Sequence, residues 1–357
     1  MTRGLPSDGP KAQGQAVATA PPRTRPSHRV AVVIADVLIL DLDGVVYIGP
    51  DAVPHAIDAL NTLAGQGIRL TAATNNASRP AAEVGDHLRR LGLRIADDDV
   101  MTSAQAAAAH LAAILPAGSS VLAIGGPGVS IALTEHGLIP LRASADLAAA
   151  SAAADAADAL LMGYGPQVAW FDLAAGQWAI DRGKPWVATN MDPTVPQPYG
   201  RAPGNGALVG LLQRSTGRDP VVIGKPQPTL FRAIEQRTGA ARPLVIGDRL
   251  DTDVDGARAA GMRSVFVLTG VQSIHDLADR DPATWPDFIA QDLRALLGPI
   301  VTLERDAAGT VRAADANVLT DAVIRIHAGL PVGPVTLPEV ALPLIDLAPL
   351  RRDTVSP

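Results

Sequence analysis

The 357-residue chain contains no cysteine. That excludes disulfides, thiolate zinc centres and cysteine nucleophiles, and it suits a reducing compartment such as the cytoplasm. Aromatic residues are scarce, at 3%, so the core must be filled by aliphatic side chains and alanine. Clustered basic charge is missing too: 30 Lys and Arg stand against 36 Asp and Glu, a formal net charge of -6. The basic residues of the first thirty positions are scattered, so no nucleic-acid partner is expected. No apolar run reaches the ~18 residues that a membrane span needs, and no membrane partner is expected either. VAVVIADVLIL, at 30–40, is interrupted by Asp36 and followed by no small-x-small cleavage site. A secretory signal is therefore not expected there.

What is present is apolar bulk, 47% hydrophobic against 18% charged, on a chain long enough for two domains. Residues 1–28, rich in proline, glycine and small polar residues, read as a disordered leader. Short apolar runs then alternate with alanine-rich helical patterns. Strands are expected at 37–41, 68–73, 121–125, 158–162, 185–189, 221–223, 243–247 and 264–268. Helices are expected at 54–65, 80–91, 103–114, 127–136, 168–181, 206–216, 228–238 and 253–260. Strands separated by helices cannot be hairpins and should pair in parallel, giving an α/β fold. From 299 the character changes: a hairpin around AAGT, a helix near 315–328, then the proline-spaced run LPVGPVTLPEVALPLIDLAPL, which reads as extended chain on a surface or as disorder. This tail carries no evident chemistry.

In open parallel sheets ligands gather beyond the carboxyl ends of the strands. After the first strand come Asp41-Leu42-Asp43-Gly44; after the second, Thr74-Asn75-Asn76. Gly224-Lys225-Pro226 follow VVI, and Gly247-Asp248-Arg249-Leu250-Asp251-Thr252-Asp253 follow PLVI. Alone, each is an ordinary turn, cap or surface charge. Together, Asp41, Asp43 and Asp248 bring three carboxylates to one crevice, a costly cluster unless a cation sits among them. Oxygen-only ligands point to magnesium rather than zinc. With Lys225 and the Thr74 hydroxyl added, the set describes a phosphoryl-transfer site.

This order, D-x-D-G, T-N-N, G-K-P, G-D-x-x-x-T-D, resembles the haloacid dehalogenase superfamily of phosphatases. TNNASR, the long interval between the second and third motifs, and ATNMDPTVPQPYGRAPGNGAL are similar to the NagD-type branch, and within it to bacterial glycerol-3-phosphate phosphatases. The resemblance covers roughly 35–295. It implies a Rossmann-like parallel-sheet core over 29–92 and 217–298, an inserted α/β cap over 93–216, and a C-terminal extension over 299–357. Asp41 would be the nucleophile, forming an aspartyl-phosphate, and Asp43 the acid and base. Mg2+ would bind the Asp41 and Asp248 carboxylates and the Asp43 carbonyl. Thr74, Asn75, Asn76 and Lys225 would hold the phosphoryl group. Asp253 would orient the metal waters or Lys225, with Asp251 and Asp255 nearby and also open for that role. A covering cap favours a small phosphomonoester as partner, glycerol 3-phosphate first, with phosphoglycolate, pyridoxal phosphate and nucleoside monophosphates open, and a homodimer through the cap also open.

Three further readings compete. A receiver-type phosphoacceptor module shares the acidic pocket, threonine and lysine, but places its acceptor aspartate after the third strand. A phosphomutase of the same superfamily would return the phosphoryl group to its substrate, and a non-catalytic relative would only bind it. Gly126-Pro127-Gly128 mimics part of a dinucleotide loop but lacks the third glycine, so it reads as a plain strand-to-helix turn. Pro203-Gly204-Asn205-Gly206 is a turn that either links cap to core or shapes the pocket, and Asn190 and Asp192 lie near that boundary.

Overall fold

The computed structural model describes residues 34–143, 146–197, 199–306, 310–313 and 316–351; the leader expected over 1–28 lies outside them. Strand β1 (Val37–Leu40) is buried along its whole length. Leu38 and Leu40 enter one apolar cluster and Val37 and Ile39 another. Cover on both faces explains four apolar residues without alternation. One face packs against helices Ala56–Gly65 and Ala81–Arg90, the other against Ser103–Ile114 and Thr229–Thr238. In Ala56–Gly65 the buried residues are Ala56, Ala59, Leu60 and Leu63, the spacing that puts one helical stripe on a sheet.

A small antiparallel hairpin, β2 (Tyr47–Ile48) and β3 (Asp51–Ala52), follows β1. β4 (Arg69–Thr74) pairs with β1, and β5 (Val100–Thr102) with β4, both in parallel. A second sheet then forms from β6 (Ser120–Ile124), β7 (Ile139–Leu141), β8 (Ala159–Met162) and β9 (Trp186–Ala188). After the antiparallel hairpin of β10 (Thr194–Gln197) and β11 (Gly200–Pro203), β12 (Val221–Val222) completes it in the all-parallel order β12-β9-β8-β6-β7. The chain returns to the main sheet with β13 (Pro243–Gly247), β14 (Arg263–Val267) and β15 (Phe288–Ala290), also parallel.

The eight expected strands and eight expected helices all form, within two residues of the expected bounds. Their allocation to sheets differs in two places. β5 lies in the segment expected to be cap yet extends the main sheet, and β12 lies in the segment expected to be core yet pairs with β9. For strands of two or three residues, membership is set by which sheet edge the incoming helix leaves free, which local sequence does not encode. The apolar cluster containing Val37 and Ile39 also contains Val121, Leu161 and Val187 of the second sheet, so one core runs under both.

The tail joins the main sheet. β16 (Ile300–Arg305) and β17 (Val311–Ala313) form the expected hairpin, whose AAG turn at 307–309 lies outside the described residues. Helix Val318–His327 follows, its first turn capped by Asn317 through the backbone N–H groups of Leu319 and Thr320. In the proline-spaced run, β18 (Leu344–Asp346) is neither surface chain nor disorder. It inserts between β15, antiparallel, and β16, parallel. The full order is β17-β16-β18-β15-β14-β13-β1-β4-β5.

Candidate active site

The carboxyl ends of both sheets meet at one crevice of about 400 Å³. From the main sheet come Asp41 and Asp43 after β1, Thr74 to Arg79 at and after β4, and Asp248 and Arg249 after β13. From the second sheet come Tyr164 after β8, Asn190 and Asp192 after β9, and Lys225 after β12. Lys225 therefore enters from the second sheet and not, as expected, from a core strand.

Lys225 is the electrostatic centre. Its Nζ lies 2.6 Å from Asp41 Oδ1 and 2.7 Å from Asp253 Oδ1. Burial acts to lower its pKa, but the two carboxylates outweigh it and push the group upward, so the lysine stays charged. Asp253 is pushed upward by burial while the lysine pulls it down; the short contact holds the pair ionised. Asp253 is fixed from its other side too, its Oδ2 accepting from the Arg249 N–H at 3.2 Å. Of the three neighbouring acids it is Asp253 that meets Lys225: Asp251 pairs with Arg249, and Asp255 with Arg258 and Arg280.

Carboxylate oxygens of Asp41, Asp248 and Asp253 lie within 4.8 Å of one another. Asp248 Oδ2 accepts from the Val271 N–H at 2.7 Å, while its Oδ1 is buried with no partner among the described residues. A buried, unpartnered carboxylate oxygen beside two further carboxylates is a donor set that fits a hard divalent cation such as Mg2+. Close packing by glycines makes this placement feasible: a Cβ on Gly44, where φ is +83°, would come within 2.5 Å of Asp248 Oδ2, and one on Gly270 within 1.9 Å. Asp43 is not part of the carboxylate cluster. Its side chain opens onto the crevice, and the enclosing walls and the Asp41 charge raise its pKa to about 6, against the pull of Arg79.

Thr74 is buried at the end of β4, its Oγ1 accepting from the Asn76 N–H at 3.0 Å. The Asn75 side chain is committed to framework bonds. Its Oδ1 accepts from the Lys225 N–H at 2.8 Å, and its Nδ2 donates to the Lys225 carbonyl at 3.1 Å and to Asp192 at 3.2 Å. It ties the β4 loop to the lysine loop and to the segment after β9. Asn76 turns its Oδ1 back onto Ser78. Gly126-Pro127-Gly128, the partial dinucleotide motif, begins helix Pro127–Glu135 and docks on this same loop: Gly128 N–H donates to Ser78 O at 3.0 Å. Arg79, Tyr164, Gln197 and Arg249 also line the crevice, and none of them was expected there. Arg79 lies in the wording TNNASR, Arg249 inside the fourth motif and Gln197 in the segment ATNMDPTVPQPYGRAPGNGAL at the end of β10, but no role was read for them there, and Tyr164 follows β8 without a local pattern.

An α/β fold of two facing sheets with a D-x-D loop, a lysine and a divalent-cation acid cluster at their shared crevice defines an enzyme of phosphoryl transfer. Comparison with known proteins narrows this class. The profile described as haloacid dehalogenase-like hydrolase matches residues 38–139, and a second hydrolase profile of the same family matches 222–296. The chain is 42% identical over 261 residues to the D-glycerol 3-phosphate phosphatase of Mycobacterium tuberculosis, covering 73% of this chain and 70% of that protein. It is 31% identical over 264 residues to the acid sugar phosphatase of Staphylococcus aureus, covering 73% and 96%. A crystal structure of the M. tuberculosis glycerol phosphate phosphatase in complex with magnesium superposes with a TM-score of 0.73 at 37% identity, covering 86% of this chain and 94% of that one. Residues 1–298 alone could not supply 86% of 357, so the likeness runs into the tail.

The chain belongs to the haloacid dehalogenase-like hydrolases, and within them to the phosphatases that act on phosphoric monoesters. Magnesium is the cofactor its acid cluster fits. Among the described residues, no helix is long and apolar enough to cross a membrane.

Proposed function

We propose that this protein hydrolyses glycerol 3-phosphate to glycerol and phosphate through an aspartyl-phosphate on Asp41. The observation that carries the reading is the position of Asp41. Lys225 occupies its Oδ1, while its Oδ2 has no hydrogen bond among the described residues, and the residue lines the crevice in one carboxylate cluster with Asp248. Asp41 Oδ2 attacks phosphorus, and the bond from phosphorus to the alcohol oxygen breaks. Asp43, raised to about 6, gives its proton to the departing alkoxide. It then takes a proton from the water that attacks the acyl phosphate, and phosphate leaves with Asp41 restored. Thr74 and Lys225 face the phosphoryl oxygens. Magnesium, when bound by Asp41 and Asp248, neutralises those oxygens so that one anion can approach another.

Glycerol 3-phosphate is preferred because the M. tuberculosis relative is named for it and its structural likeness runs through the core and into the tail. The cysteine-free sequence supports a cytoplasmic setting. The test is Mg2+-dependent release of inorganic phosphate, wild type against Asp41→Asn, across glycerol 3-phosphate, phosphoglycolate, pyridoxal phosphate and nucleoside monophosphates. Asp41→Asn should abolish turnover with the fold intact; near-normal turnover refutes the nucleophile, and a higher kcat/KM on another ester refutes the substrate.

A further inference from the structure

The crevice has two unlike walls. The main-sheet wall holds the acid cluster and the crevice's two arginines. The wall from the second sheet carries Lys225, which is committed to Asp41 and Asp253, and beside it Tyr164, Asn190, Asp192, Thr194, Gln197 and Asn205, with no further lysine or arginine among these six. We propose that Asp192 and Asn205 form the leaving-group subsite, and that it selects neutral alcohols bearing further hydroxyls while rejecting carboxylate-bearing ones. The proposal deepens the phosphatase reading above and rests on it.

Two acceptors short of donors carry the argument. Asn205 sits at the start of helix Asn205–Thr216 and is buried. Its Nδ2 donates to Asn190 O at 2.8 Å and Met162 O at 3.3 Å. Flipping the amide would set its oxygen against two carbonyls, so the orientation is fixed and Oδ1 is the atom left without a bond. That Oδ1 is buried and has no partner among the described residues, a state that calls for a donor from outside. Asp192 is pinned through its own N–H to Asn190 Oδ1 at 3.1 Å. Its carboxylate receives only the Asn75 amide, spread over both oxygens at 3.2 and 3.4 Å. A carboxylate can accept about four hydrogen bonds, so most of its capacity is unused, on a residue that lines the crevice.

A hydroxyl group satisfies both acceptors. A carboxylate on the leaving group satisfies neither and meets the Asp192 charge. Burial pushes the Asp192 pKa up while the Arg249 and Lys225 charges pull it down, but Arg249 is bonded to Asp251 at 2.7 and 3.1 Å, Lys225 to Asp41 and Asp253, and Arg79 reaches toward Tyr47, so none of them is hydrogen-bonded to Asp192. Sites built to bond a substrate hydroxyl discriminate far more sharply than apolar ones.

The test is Asp192→Asn, which removes the charge and keeps an oxygen for Asn75. Measured on glycerol 3-phosphate, phosphoglycolate and p-nitrophenyl phosphate, the ratio of kcat/KM for the first over the second should fall at least tenfold, mainly through KM. A uniform fall on all three substrates assigns Asp192 to the framework and overturns the proposal, as does an unchanged ratio. A binding measurement that needs no turnover separates this outcome from failure of the phosphatase reading. Saturation-transfer NMR on the Mg2+-loaded wild type should detect glycerol and not glycolate, and the glycerol signal should weaken in Asp192→Asn; a stronger glycolate signal overturns the subsite even if no ester is hydrolysed.

Discussion

Deleting the Lys225 charge probes how the site is held together before any chemistry occurs. Lys225→Met keeps the volume of the stem and removes only the ammonium. The lysine side chain is 4% exposed, Asp253 is 1% exposed, and the two contacts to Asp41 and Asp253 are 2.6 and 2.7 Å. At an effective dielectric of about 20, each contact is worth roughly 6 kcal/mol of Coulomb attraction. Desolvation takes back most of that, and losing one partner of a buried pair costs about 3–5 kcal/mol because the other charge is left alone. Urea unfolding of metal-free protein at pH 8 should show that loss. The pH dependence follows from Asp253. Burial raises its folded pKa and Lys225 opposes the rise, so without the lysine the folded pKa climbs further above the unfolded value of about 3.9. A group raised on folding contributes stability that is present below its unfolded pKa and is lost as pH rises through its folded pKa. The deficit of Lys225→Met should therefore shrink toward pH 5 and be full at pH 8. Adding Asp253→Asn removes the stranded charge, and the double variant should be more stable at pH 8 than Lys225→Met alone. A deficit under about 1 kcal/mol at pH 8, or one independent of pH, would show that Lys225 does not hold an ionised Asp253.

Asp43→Asn should reduce kcat on an alkyl phosphate by about 10²–10⁴ and by much less on an aryl phosphate, whose leaving group needs little protonation; equal losses remove Asp43 as the acid. Mg2+ at a hundred times its Kd should raise the unfolding free energy by about 2.7 kcal/mol, reversibly with a chelator. Asp248→Asn should abolish most of that gain, and a gain that persists places the cation elsewhere. Gly128→Ala would put a Cβ 2.5 Å from the carbonyl oxygens of Ala77 and Arg79, forcing the loop after β4 to move, at a cost of about 1–3 kcal/mol. Gly210→Ala, half-buried in helix Asn205–Thr216 with its nearest neighbour 4.0 Å away, should instead be neutral or stabilising by up to about 1 kcal/mol; equal melting shifts for the two would refute the docking role of Gly128.

Local rules made most of this site readable. Asp41 and Thr74 sit at the ends of apolar strands that could only be central, and Gly44 takes the left-handed conformation that lets Asp248 approach. What escaped was set by long-range pairing. Two residues, Val221 and Val222, give no hint of which sheet they join, yet that choice decides the side from which Lys225 enters. The hairpin β10–β11 covers the crevice without an alternating pattern to announce it. Asp253 could not be told from Asp251 and Asp255 because the distinction lies in facing: the π-helical turn Leu250–Val254 buries Asp253 and turns Asp251 out to Arg249. One hint was present, since arginines stand close in sequence to both rejected acids, at Arg249 and Arg258, and pair with them.

The tail shows why chemistry-free sequence can still govern a site. Pro343 ends the extended run immediately before Leu344–Asp346, so the missing proline N–H falls outside the strand, where it costs no ladder bond. β18 can then pair on both sides and cover the edge of β15 that would otherwise close the sheet. Its Ile345 lies in one apolar cluster with Leu303 of β16, Val323 of the tail helix, Phe266 of β14, and Leu250 and Val254. Those last two residues bracket Asp253 in the same turn. The tail therefore packs beneath the element that aims Asp253 at Lys225, and through Lys225 at Asp41. Extension of the structural likeness to the M. tuberculosis enzyme beyond the catalytic segments fits that dependence: the nucleophile's orientation rests on a layer whose sequence carries none of the catalytic motifs.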